Sequence, residues 1–181
     1  MTGTDRTLLI LDLDETLVFA SERPLVREPE SLVGPYFVYL RPYLHDFLVE
    51  MTKYFDLAVW SSSSPDYAHA IVNRVFPLQR KLKFVWGRDR CIQRFDGEWQ
   101  RPYYVKDLKK VQRQGYDLKR ILVVDDTPKK YERHYGNVIY VPEFLGDQTD
   151  FVLPRLGKYL ASLAETVNVR VVEKRNWMLY Y

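Results

Sequence analysis

The chain has 181 residues, enough for one domain with a sizeable core or one domain with a modest insert. Its formal charge of +3 is mild: it permits an anionic partner but does not by itself argue for nucleic acid. A single cysteine, Cys91, excludes an internal disulfide framework and a cysteine-built zinc site. No apolar run approaches the ~18 residues of a membrane span. The opening MTGTDRT lacks the basic and apolar regions of a signal peptide, so a cytoplasmic location is expected, with a nuclear one left open.

In chain order, Thr7–Leu11 is a short aliphatic run, the pattern of a strand buried on both faces. Glu22 to Pro35, rich in proline and charge, reads as a long loop or hairpin, and Tyr36–Leu40 as a strand. Arg41-Pro42 opens a helix, with Tyr43, Leu44, Phe47, Leu48 and Met51 at helical spacing. LAVW, ending at Trp60, is a second buried strand. Ser64-Pro65-Asp66 then has the form of a helix cap, and Pro77 stops that helix. KFVWG reads as a short strand, and Cys91 to Val105 as a hairpin about Asp96-Gly97. A helix over 107–114 ends at Gly115. ILVV, 121–124, and NVIYVP, 137–142, are further strands, and 150–165 a closing amphipathic helix. The tail from Val167 contains a β-prone VRVV and a basic, aromatic end. Buried strands alternating with amphipathic helices predict an α/β fold, a Rossmann-like and mostly parallel sheet flanked by helices. The expected organisation is one domain over 1–181, a small β insert at 83–105, and a C-terminal extension at 166–181 whose role the sequence leaves open.

Three of the buried runs end in polar residues: LLIL in Asp12, LAVW in Ser61, ILVV in Asp125. The carboxyl ends of parallel strands line one edge of such a sheet, where ligands bind. Asp12, Asp14, Asp125 and Asp126 are then expected in one small volume, and like charges so placed need a cation. Mg²⁺ suits carboxylates that share a site with water and phosphate. A carboxylate can attack phosphorus and split hydrolysis into two easier steps, and Asp12 is placed for that. Asp14 is the choice for the group that protonates the leaving oxygen and later activates water. Ser61 with the Ser62 N–H, and Lys106 from a third segment, can meet the charge on the phosphoryl oxygens. Each motif alone is ordinary; their order and their common position at strand ends is what carries the reading.

These residues resemble the haloacid dehalogenase-like (HAD-like) phosphatases. The resemblance is closest to the branch of the RNA polymerase II C-terminal-domain phosphatases and the NLI-interacting-factor-like small phosphatases. DLDETLV carries the DxDx[TV] signature, VWSSSSPDYA the second motif, YYVKDL the lysine motif and ILVVDDTPKKY the acidic fourth motif. The resemblance implies that Asp12 is nucleophile and metal ligand. It implies that Asp14 is acid/base and binds Mg²⁺ through its carbonyl, and that Asp126 binds the ion with Asp125 in support. It further implies that Thr16 orients the loop, that Ser61 and Lys106 clamp phosphate, and that Arg88 falls near a substrate-contacting arginine of the branch. Two departures stand out: Asp126 where the branch often has Asn, and Ser61 where it usually has Thr.

No interval is long enough for a separate cap over the site. The substrate is therefore expected to be a phosphorylated macromolecule, protein ahead of nucleic acid, with no membrane partner and an open oligomeric state. The leading expectation is a Mg²⁺-dependent phosphomonoesterase acting on phosphoserine or phosphothreonine. The alternatives are a polynucleotide 3′-end phosphatase, a phosphotransferase, and a non-catalytic phospho-ligand binding module. The basic residues Arg88, Arg90, Arg94, Arg101, Lys106, Lys109 and Lys110, interleaved with aromatics, are expected to form a surface for such a ligand.

Overall fold

The computed structural model describes residues 6–76, 82–98 and 100–181. The expected helix stop at Pro77 and the insert's Trp99 lie outside them. Five parallel strands form the main sheet in the order β10-β9-β1-β5-β6. They are β1 (Leu8–Leu11), β5 (Asp56–Trp60), β6 (Val85–Trp86), β9 (Ile121–Asp125) and β10 (Val138–Tyr140). β1 is wholly buried, as a central strand covered on both faces must be. From β1 the chain builds outward to β5 and β6, then returns to lay β9 and β10 on the other side. The order reverses at β1, and a crevice opens there beyond the strand ends.

Among the described residues four α-helices accompany the sheet: α1 (Leu44–Tyr54), α2 (Pro65–Val75), the short α3 (Lys109–Gln112) and α4 (Val152–Leu163). α1 and α4 bury Leu44, Phe47, Leu48, Met51, Leu153, Leu156 and Leu160 in one core cluster with Leu9, Leu11 and Val59. Leu8, Ile10, Trp60, Val111 and Val123 build a second cluster, so apolar side chains cover both faces.

The stretch expected as a loop or hairpin is more ordered than its composition suggests. β2 (Val18–Ser21), β3 (Ser31–Val33) and β4 (Tyr36–Leu40) form an antiparallel sheet in the order β2-β4-β3. Within 83–105, Val85–Trp86 joins the main sheet as β6, while β7 (Ile92–Asp96) and β8 (Arg101–Val105) form a separate antiparallel hairpin. α1 begins at Leu44 and not at Pro42, because Tyr43 takes a left-handed conformation (φ 66°) between the anchored Arg41 and the helix. VRVV is not a strand: Val169–Val171 is a 3₁₀ turn that buries Val169. The rest of the tail packs down, with Trp177 stacked on Tyr159 at 5.7 Å and its Nε1 donating to the Tyr140 carbonyl (2.9 Å). No helix among the described residues is long and apolar enough to cross a membrane.

Candidate active site

Asp12 follows β1 directly, and its N–H donates to the Val124 carbonyl of β9 (3.0 Å), so the nucleophile candidate is stitched to the neighbouring strand end. The chain then turns tightly. The Leu13 carbonyl accepts from the N–H groups of Thr16, Leu17 and Val18, and Glu15 adopts φ 57°. Alternation across extended backbone sends Leu13 into the core and leaves Asp12 and Asp14 to the crevice.

Asp12, Ser61, Lys106, Asp125 and Thr16 are all buried. Lys106 Nζ lies 2.9 Å from Asp12 Oδ1 and 2.6 Å from Asp125 Oδ2, over the Tyr131 ring. It is therefore not part of the exposed basic surface where the sequence grouped it: burial between two carboxylates turns it inward. Lys130, which sequence reasoning passed over, lies 2.6 Å from Asp12 Oδ2, 3.1 Å from Asp125 Oδ1 and 3.3 Å from Asp126 Oδ1. Thr127 Oγ1 and Thr16 Oγ1 donate to the two oxygens of Asp126 (2.8 and 3.3 Å), and Thr127 N–H to Asp125 Oδ1 (2.9 Å).

Burial works against the charge on Asp12, but Lys106 and Lys130 outweigh it and hold the carboxyl well below its ordinary value. The same burial, with the Asp12 charge beside it, pushes Asp125 up. Burial would lower Lys130, yet the three carboxylates raise it well above the usual lysine range. Burial and the charges of Asp14 and Asp126 push Glu15 up to about 7.

Asp14 points elsewhere, toward the N-terminus of α2. Tyr67 Oη donates to its Oδ1 (2.6 Å), and Ser63 Oγ and Ser61 Oγ to its Oδ2 (2.8 and 3.4 Å). Burial, aided by the Asp12 charge, raises its pKa despite the Tyr67 hydrogen bond. Tyr67 and Ser63 were not singled out in the sequence. Gly87, at the end of β6, lets this corner close: a Cβ there would meet Pro65 Cα at 2.8 Å. Arg88 follows, its Nε donating to the Ser62 carbonyl (2.7 Å) and its guanidinium over Tyr104. Arg88, Asp14, Tyr36 and Tyr67 line one open cavity of about 430 Å³. Ser62, Thr127, Lys130 and Tyr104 line a neighbouring one of about 290 Å³, and the buried Ser62 Oγ has no hydrogen-bond partner.

Oxygens of Asp12, Asp125 and Asp126 lie within 4.8 Å of one another. An all-carboxylate set of hard oxygen donors fits a small divalent cation that completes its shell with water. The fold thus brings Asp12, after β1, together with Asp125 and Asp126 at the end of β9, while the Asp14 carboxyl faces Ser61, Ser63 and Tyr67.

Residues 7–170 match the family described as NLI interacting factor-like phosphatase. A CTD small phosphatase-like protein 2 of Dictyostelium discoideum is 31% identical over 95% of this chain and 30% of its own length. The human carboxy-terminal domain RNA polymerase II polypeptide A small phosphatase 1 is 28% identical over 92% of this chain and 62% of its own length. The chain therefore spans only about a third to two thirds of these relatives. The structure of the fission yeast RNA polymerase II CTD phosphatase Fcp1 bound to beryllium fluoride superimposes with a TM-score of 0.60 at 18% identity, covering 88% of this chain and 51% of that one. At that identity the likeness is one of fold.

Proposed function

The chain belongs to the NLI interacting factor-like phosphatase family, and from its site we propose that it is a Mg²⁺-dependent phosphomonoesterase acting on phosphoserine or phosphothreonine in proteins. The observation that carries this is the division of labour between two neighbouring carboxyls. Asp12 is held ionised between two lysines, whereas Asp14, two residues on, sits among hydroxyls with a raised pKa. Environments that push paired groups apart assign nucleophile and acid.

In the first step an Asp12 oxygen forms a bond to phosphorus as the ester P–O bond breaks, and Asp14 gives its proton to the departing serine or threonine oxygen. In the second, water attacks the phosphorus of the aspartyl phosphate, Asp14 takes its proton, and phosphate leaves Asp12 free. Lys106 holds the Asp12 carboxylate in place and offers charge to the phosphoryl oxygens, joined by Ser61 and the Ser62 N–H. Asp12, Asp126 and the Asp14 carbonyl, with Asp125 in support, would hold Mg²⁺, which supplies charge neutralisation as phosphate approaches the carboxylates. Thr16 fixes Asp126 through its hydroxyl.

A protein substrate is favoured because the cavity beside Asp14 is open and flanked by Tyr36, Tyr67 and Arg88. Such a surface receives a side-chain phosphate on an extended segment better than a small sugar phosphate. The test measures kcat/KM for phosphopeptides, a 3′-phosphorylated oligonucleotide and sugar phosphates, with Mg²⁺ and with EDTA. Phosphopeptides should lead, and EDTA should abolish turnover. Activity that survives EDTA, or a lead for the oligonucleotide or a sugar phosphate, overturns the corresponding part of the reading.

A further inference from the structure

Lys106 and Lys130 both reach the acidic cluster but are built differently. Lys106 is fully buried and pairs with Asp12 and Asp125. Lys130 retains 17% side-chain exposure, and its ammonium contacts one oxygen of each of the three carboxylates that form the candidate metal site. Its backbone is fixed: its N–H donates to Thr127 O (3.2 Å), its carbonyl accepts from Lys106 N–H (2.8 Å), and the next residue, Tyr131, is buried. Its flexible four-carbon stem is not fixed in this way. The adjoining cavity of about 290 Å³, walled by Ser62, Thr127 and Tyr104, gives the ammonium somewhere to go.

Building on the metal site proposed above, we infer that Lys130 is a tethered cation that competes with the divalent ion for the Asp12–Asp125–Asp126 site. Three ionised carboxylates cannot lie this close without positive charge among them. The lysine supplies it in the metal-free protein and keeps the cluster assembled. A divalent ion that takes the same oxygens must displace the ammonium, which moves outward into the cavity. The competition weakens binding and sets the free Mg²⁺ concentration at which the site fills. It would also suppress retention of adventitious cations by a site carrying an extra carboxylate, Asp126.

Calorimetric titration of Mg²⁺ into metal-stripped wild type, Lys130→Met and Lys130→Arg tests this. Lys130→Met should bind Mg²⁺ roughly tenfold tighter or more, because a competing charge in contact with both carboxylate ligands, Asp12 and Asp126, and with the supporting Asp125 is gone. Lys130→Arg should stay at or below wild-type affinity. Metal-free Lys130→Met should also melt below wild type and gain more on adding Mg²⁺. If wild type binds Mg²⁺ and Lys130→Met binds it no more tightly, the inference is overturned while metal dependence stands; if neither binds it, both fail. Should Lys130→Met not fold, the wild-type Lys130 ammonium can be followed by ¹⁵N NMR. Its signal should shift as Mg²⁺ is added, and an unchanged signal at saturating Mg²⁺ sinks the inference.

Discussion

Two buried charge clusters sit near the carboxyl ends of the strands, and they are built on opposite rules. At Arg41, one guanidinium meets one carboxylate in a two-point contact: Nε to Asp150 Oδ1 (3.0 Å) and Nη2 to Asp150 Oδ2 (2.8 Å). Its remaining donors reach the Thr16 carbonyl (2.9 Å) and the Pro142 carbonyl (3.0 Å). Charge is balanced there, and three segments are tied together. At Asp12, three carboxylates face two ammonium groups, and Asp14 and Glu15 stand close by. Charge is left over, Asp125 and Glu15 are pushed up, and Asp12 is pushed down. Balance marks a brace; surplus marks a place where charge is to be used.

The largest effect should break that contrast from the reactive side. Asp12→Asn removes the proposed nucleophile and should lower kcat by roughly 10⁶-fold, the scale seen when a covalent nucleophile is lost. It also removes the ion pairs with Lys106 and Lys130 that favour the charged form of Asp12, so its thermal midpoint should fall, though by less than on loss of the Arg41 pair, because both lysines keep Asp125. Turnover assays and a melting curve on one preparation check both halves. Near-normal kcat would remove Asp12 from its assigned role. Arg41→Met should do the converse. Breaking a buried pair costs about 3–5 kcal/mol, and urea unfolding should show it as a lower midpoint with little change in slope. A loss under 1 kcal/mol would mean that the Arg41 cluster is no brace.

Much of the reactive cluster was legible because a buried parallel strand is written as an unbroken aliphatic run. LLIL, LAVW and ILVV announce both the strand and the point where it stops. The order in which the chain leaves and returns to β1 then brings Asp12 and Asp125 together. Lys130 was missed because PKKY reads as surface lysines on a turn; its one signal is its place four residues after Asp126, on a 3₁₀ turn that Pro128 begins. Tyr67 was missed because an aromatic on an amphipathic helix reads as core. VRVV has the composition of a strand, but Val169 is buried and the Lys174 ammonium gathers the carbonyls of Val169, Val172 and Gly136. Tertiary packing overrides β-propensity there. The displaced start of α1 has a similar cause: Arg41 is committed to Asp150 and Thr16, and the chain must turn at Tyr43 before helix geometry can begin.

Tyr67 sharpens the contrast at smaller scale. Its hydroxyl holds Asp14 in the pose from which it would deliver a proton, but balances no charge. Tyr67→Phe should lower kcat about tenfold with KM little changed, since one hydrogen bond to a charged group is worth about 1.5–3 kcal/mol. A loss confined to KM would make Tyr67 a wall of the substrate cavity and not a positioning residue.

The smallest effect is expected at Asp107, the chain neighbour of Lys106. Its Oδ1 contacts His134 Nε2 at 2.9 Å and accepts from the Lys109 N–H at 3.0 Å. Burial would raise the carboxyl, but these contacts outweigh it and hold its pKa below the ordinary value. A carboxyl depressed in the folded state binds its proton more readily when unfolded, at about pH 3.9. Its stabilisation is therefore complete above that pH and fades as pH falls through the lower, folded value. Asp107→Asn should cost about 1 kcal/mol near neutrality. The gap between its melting temperature and that of wild type should narrow as the pH drops below about 4. A gap that widens in acid would show that Asp107 is held protonated in the fold, and that its contacts with His134 and the Lys109 N–H do not favour the charged form.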